Sequence, residues 1–129
     1  MTERNLTKNI AKFMQVQFPN VIYKFDLASD QRLSIQQATR NSQLHGRWSK
    51  GMPDMVIMEK RGNYGALFIE LKIISPYKKN GELKKNSHLK NQARIHSELD
   101  SRGYKAVFTT GFEETVEVIR DYLTLKGTQ

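Results

Sequence analysis

Residues 66–74 read Ala66-Leu-Phe-Ile-Glu-Leu-Lys-Ile-Ile74, and upstream of them stands Gly51-Met-Pro-Asp54. In an extended chain Leu67, Ile69, Leu71 and Ile73 fall on one face, with Phe68, Glu70 and Lys72 on the other. An interior strand needs no charge on its second face, so Glu70 and Lys72 require a reason of their own. Between the two stretches, Arg61-Gly-Asn-Tyr-Gly65 offers the positive φ that a hairpin turn demands. Residues 54–60 and 66–74 are therefore predicted to be the two strands of a hairpin. Asp54 opens one strand, and pairing can set it beside Glu70.

Outward from this hairpin the pattern stays regular. Leu6, Ile10, Phe13 and Met14 recur at helical spacing, which predicts a helix over 3–17 with Thr2 as its N-cap. Glu3 lies in the first turn of that helix and, at about 100° per residue, inside its apolar stripe. It is expected at the edge of a cleft. Pro19 ends the helix, and Val21, Tyr23, Phe25 and Leu27 alternate as a strand. The Gln-rich stretch 31–43 reads as a short surface helix or an ordered loop. Past the hairpin, 75–87 is a lysine-rich loop. A helix over 88–102 carries Leu89, Gln92, Ala93, His96 and Leu99 on one stripe, and Gly103 closes it. Residues 104–109 form a strand and 113–125 a last helix with Val116, Ile119 and Leu123 inward. The order predicts an α/β domain: a small mixed four-stranded sheet flanked by helices, with a parallel, right-handed crossover from the third strand to the fourth.

The chain has 129 residues, which suits one domain over 1–129. Lys and Arg number 21 against 13 Asp and Glu, a net charge of +8, and the pI is about 9.8. Such a surface attracts polyanions, phosphate backbones first. No cysteine is present, which excludes disulfides, thiolate zinc sites and thiol catalysis. No leader-like or membrane-spanning run is seen, so a cytoplasmic protein with no membrane partner is expected.

Two carboxylates brought together repel unless a cation lies between them. Hard oxygen ligands completed by water suit Mg²⁺, with Mn²⁺ as a substitute. Lys72 alongside can orient water or stabilise charge growing on phosphorus. Two acids, a cation and a metal in a basic protein fit metal-assisted phosphodiester hydrolysis.

Pro53-Asp54 followed by Glu70-Leu71-Lys72 resembles the signature of the PD-(D/E)XK nucleases, whose core is restriction-endonuclease-like. Gly51, Gln92, the Leu99…Gly103-Tyr104 helix end and the closing Tyr122-Leu123 make it similar to the VRR-NUC branch, itself similar to Holliday junction resolvases. The resemblance spans nearly the whole chain and is weakest over 28–46. It implies that Asp54, Glu70 and the main-chain carbonyl of Leu71 bind the metal, that Lys72 is the catalytic lysine, that Gln92 holds water or phosphate, and that Glu3 is a further acid. Leu89 stands where the family often has Ser or Thr.

Singly, these features have ordinary readings. Pro-Asp often opens a turn, Glu-x-Lys is commonly a solvated face, and Glu3 suits a helix dipole. Gln92 could be a satisfied buried amide. His96 is expected to be packed and hydrogen-bonded, while His45 and His88 are expected at the surface. Trp48 is read either as a core residue or as a platform for a splayed base. Lys78, Lys79, Lys84, Lys85, Lys90 and Arg94, with Arg47 and Lys50 before Asp54, are expected to contact phosphates. Together they predict a Mg²⁺-dependent endonuclease acting on branched or four-way junction DNA, for which a homodimer would provide paired cuts. A flap, nick or single-strand nuclease, or a catalytically silent nucleic-acid-binding module, is the alternative.

Overall fold

Thr2 begins the first helix, α1 (Glu3–Gln17), by accepting a hydrogen bond from the Asn5 N–H (3.1 Å). Leu6, Ile10 and Met14, spaced four apart, are its buried row. The structure is a computed structural model that describes residues 1–26 and 34–126. Leu27, expected at the end of a strand, lies outside the described residues.

Four strands form one sheet in the order β1 (Tyr23–Phe25), β2 (Met55–Ile57), β3 (Leu67–Lys72), β4 (Lys105–Thr110). The first three pair antiparallel, and β3 pairs parallel with β4. The parallel step is made through α3 (Ser87–Ser101), as expected of a β–α–β crossover. Between β1 and β2 lies α2 (Ile35–Gln43), an exposed helix begun by a reciprocal Ser34–Gln37 capping box. The chain ends in α4 (Gly111–Leu123), packed beside α1.

Alternation along β3 divides the molecule. Leu67, Ile69 and Leu71, each 0–1% exposed, face α1 and α4, where Leu6, Ile10, Met14, Val116, Ile119 and Tyr122 complete the core. Phe68, Glu70 and Lys72 face the side covered by α3. Tyr122 reaches across the core edge and donates its hydroxyl hydrogen to the Glu59 carbonyl (2.6 Å).

The regular strands are shorter than the hydrophobic runs predict. β2 ends after three residues, at Ile57, opposite Tyr23 where β1 begins. β3 stops at Lys72, opposite Thr110, because Gly111 at φ 77° turns the neighbouring chain into α4. Ile73 and Ile74 thus have no strand to pair with and stand exposed. In α3 the buried residues are Gln92, Ile95 and His96, with Leu99 only half-buried, so Ile95 replaces Leu99 on the expected stripe. The turn after β2 has the expected form: Arg61 and Tyr64 exchange both backbone hydrogen bonds around Gly62 at φ 54°. Among the described residues no helix is long and apolar enough to cross a membrane.

Ile69→Ala, at the centre of this core, is expected to lower the unfolding free energy by about 2–5 kcal/mol. Ile74→Ala, on exposed chain, is expected to change it by less than about 0.5 kcal/mol. Urea unfolding of both variants checks the pair.

Candidate active site

The register of β2 and β3 places the two acids. Met55 pairs with Ile69, so the next rung brings Asp54 opposite Glu70, on the face away from the main core. Asp54 is held from two directions. Its Oδ2 accepts the Leu71 N–H (2.9 Å), and its carbonyl accepts the Asp26 N–H (2.6 Å) at the end of β1. In an extended strand a residue's N–H and C=O point to the same side, so the Leu71 carbonyl also faces Asp54.

Glu70 is only 3% exposed. Burial, then the hydrogen bond to Asp54 and the charge of Asp54, push its pKa up to about 10; Lys72 acts against the rise and Glu3 adds to it. The pair therefore retains a proton at neutral pH. Gln92, also buried, donates from Nε2 to Glu70 Oε1 (3.0 Å) and lies 3.3 Å from His88 Nε2. Its own Oε1 is buried without a hydrogen-bond partner. Lys72 is half-buried on the same face as Glu70, with its ammonium 5.9 Å from the centre of the Phe108 ring.

The donor set fits a hard, water-retaining cation. Among the described residues no three His, Asp or Glu side chains gather as a metal cage. Mg²⁺ is commonly held by one or two carboxylates, with water and substrate phosphate completing the shell. Asp54, Glu70 and the Leu71 carbonyl match that description. Glu3 is exposed at the start of α1; its charge reaches Glu70, but it forms no three-acid cluster with the pair.

Lys78, Lys79, Lys84, Lys85 and Lys90 are exposed on the segment from β3 into α3. That segment is folded back on itself by the Tyr77–Leu83 bridge and the Lys78 N–H to Glu82 carbonyl bond (2.7 Å). Arg47 and Lys50 are exposed on the loop before Asp54, and Arg94 is exposed on α3. Trp48 is half-buried and outside the core, which corrects the core reading. His96 is packed, its ring centre 4.4 Å from that of Phe108, but its Nε2 has no hydrogen-bond partner. Burial holds its pKa down to about 4, with Lys72 assisting and Asp100 opposing.

Three participants escape the sequence reading. His88 is exposed, as expected, and it also touches Gln92, a contact signalled by its i, i+4 spacing on one helix. Asp26 fastens Asp54 by a backbone bond that no residue pattern announces. Asn91 donates to the Lys50 carbonyl (3.2 Å) and so ties the loop before Asp54 to α3. Gly51, at φ 93°, lies against that contact, and a Cβ there would overlap the Asn91 amide and press on Ile95 Cδ1.

The sheet and the helices on its two faces make a mixed α/β fold, with two acids opposed at its strand ends. A solved structure described as a VRR_NUC domain protein shares it: TM-score 0.65 and 23% identity, covering 100% of this chain and 93% of that one. The chain thus has the fold of a VRR_NUC domain. No protein-family profile and no curated protein matches the sequence.

Two outcomes are expected. In metal-free protein Glu70 keeps its proton when folded and loses it near pH 4.5 when unfolded, so its contribution to stability declines as pH rises from about 4.5 toward 10. His96 acts oppositely, with stability lost as pH falls from about 6.5 to 4. Between pH 7 and 9 the melting temperature in EDTA should therefore fall, and Glu70→Gln should flatten that slope. Gly51→Ala should destabilise the domain by more than about 1 kcal/mol, measured by urea unfolding.

Proposed function

We propose that the protein is a Mg²⁺-dependent endonuclease that hydrolyses DNA phosphodiester bonds, with branched or four-way junction DNA as its substrate. The observation that carries this reading is the convergence of Asp54, Glu70 and Gln92 beside Lys72, on the fold of a VRR_NUC domain protein. The basic surface suits the substrate, and the exposed lysines of 78–90 give it positions for phosphate contact.

The residues divide the work. Asp54, Glu70 and the Leu71 carbonyl would hold the cation, displacing the proton that the pair otherwise retains. When bound, that cation supplies charge neutralisation at the scissile phosphate and a more acidic water. The Lys72 ammonium would donate to an oxygen of the phosphate as negative charge builds there. Gln92 is fixed through Nε2, and its unpartnered Oε1 is an acceptor for the attacking water. Glu3 adds negative charge at a distance and would act as a further acid. Water attacks phosphorus, the bond to the leaving oxygen breaks, and that oxygen takes up a proton.

A junction substrate suits a homodimer, because two symmetric cuts need two sites at a fixed spacing. The test is cleavage of a labelled four-way DNA junction, with duplex and flap controls, in Mg²⁺ and in EDTA. Asp54→Asn keeps an oxygen for the Leu71 N–H while removing the charge, so it should fold, bind DNA and fail to cut. Lys72→Ala should cut more slowly by about 10²-fold or more. Paired nicks near the branch point are expected. Cutting of flaps or single strands instead would replace the junction assignment, and binding without cleavage in Mg²⁺ or Mn²⁺ would overturn the enzyme.

A further inference from the structure

Trp48 is the only tryptophan of the chain. It belongs to neither the core nor the carboxylate site, yet three guanidinium groups converge on its ring. Arg94 lies 4.8 Å from the ring centre, Arg47 5.3 Å and Arg102 5.6 Å. All three are within cation–π range. Arg47 is the neighbour of Trp48 in sequence, whereas Arg94 comes from α3 and Arg102 from its C-cap.

The charges are unbalanced. Glu98 pairs with Arg102 (3.0 Å), while Arg94 donates to the neutral Asn91 side chain (2.9 Å). Gathering cations about one half-buried ring is opposed by their mutual repulsion, and each cation–π contact near the surface contributes only about 0.5–1 kcal/mol. An anionic partner would remove the repulsion. A guanidinium stacked on indole presents its N–H groups in its own plane, free to fork onto a phosphate.

The layout points to a chain of phosphates. Arg94 and Glu98 on α3 and Arg102 at its C-cap are spaced four apart, so they follow one side of the helix, flanking the buried stripe of Gln92, Ile95 and His96. From Arg94 to Arg102 the helix advances about 12 Å, close to the axial rise of three to four nucleotides in one DNA strand. Asn91 joins this row to the loop that leads to Asp54. The guanidinium groups also occupy positions over the ring that a stacked base would take, which argues against Trp48 as a platform for a splayed base.

We propose that Arg47, Arg94 and Arg102, held on Trp48, form a second DNA contact, a track for the backbone of the duplex arm that leads away from the cleaved phosphate. The proposal rests on the nuclease reading and extends it to how the substrate lies. It adds Arg102 to the residues that touch DNA and gives Trp48 the part of a scaffold for charge.

Trp48 reports on its own cluster, because no other tryptophan contributes to the emission. Intact protein in EDTA is titrated with a short DNA duplex, following tryptophan emission and, separately, anisotropy of a dye on the DNA. Emission should change saturably and in step with anisotropy. Arg94→Gln and Arg102→Gln should each weaken binding about three- to tenfold near 100 mM salt and reduce the slope of log affinity against log salt by about one. Unchanged emission at saturating anisotropy overturns the track. So do variants that lose thermal stability yet keep the salt slope, since that is the mark of a purely structural role. The nuclease reading is scored apart: DNA cut in Mg²⁺ with Trp48 silent removes only the track, and a Trp48 response without any cutting removes only the nuclease.

Discussion

Two carboxyl groups set side by side within a sheet oppose folding, since each must leave water and, with both ionised, they would repel each other. Asp54 and Glu70 stand in that relation, and much of the architecture serves to hold them there. The opposite face of the same strand carries only apolar side chains, Leu67, Ile69 and Leu71, packed onto α1 and α4. Burial of that face offsets the cost of the acids on the other. A slip of one residue in β3 would send Glu70 into the core and the leucines toward α3, so a single register satisfies both faces.

The rest of the site is a set of restraints on that pair. Leu71 and Asp26 hold Asp54 through the backbone, and Gln92 holds Glu70 through its amide. Asn91, the neighbour of Gln92, grips the loop before Asp54. Loop, strands and helix α3 are thereby locked into one frame around the acids. Side chains fixed by their neighbours in this way keep their geometry when a ligand arrives, as a preorganised site requires.

Positive charge is spread around this frame in two different manners. The lysines of 78–90 are exposed and can follow a phosphate chain with little preference for its shape. The arginines near Trp48 are constrained by the ring beneath them and by Asn91 and Glu98. Mobile ammonium groups favour encounter, whereas fixed guanidinium forks favour orientation. On the nuclease reading, the first group would gather the substrate and the second would align it.

The sequence alone determined the order of elements and the hairpin, and it allowed Asp54 to stand beside Glu70, which the strand register then fixed. These follow from local periodicity and turn chemistry, which operate within a few residues. Thr2, Leu6, Ile10 and Met14 announce α1 at its observed bounds for that reason. Tertiary structure decided what depends on neighbours distant in the chain. Strand ends moved because a strand lasts only as long as its partner, which left Ile73 and Ile74 exposed. Asp26 and Asn91 entered the site through contacts that carry no sequence period. Trp48 belongs to the same class: in sequence it is one aromatic residue in a basic loop, and only the docking of that loop on α3 brings Arg94 and Arg102 to its ring.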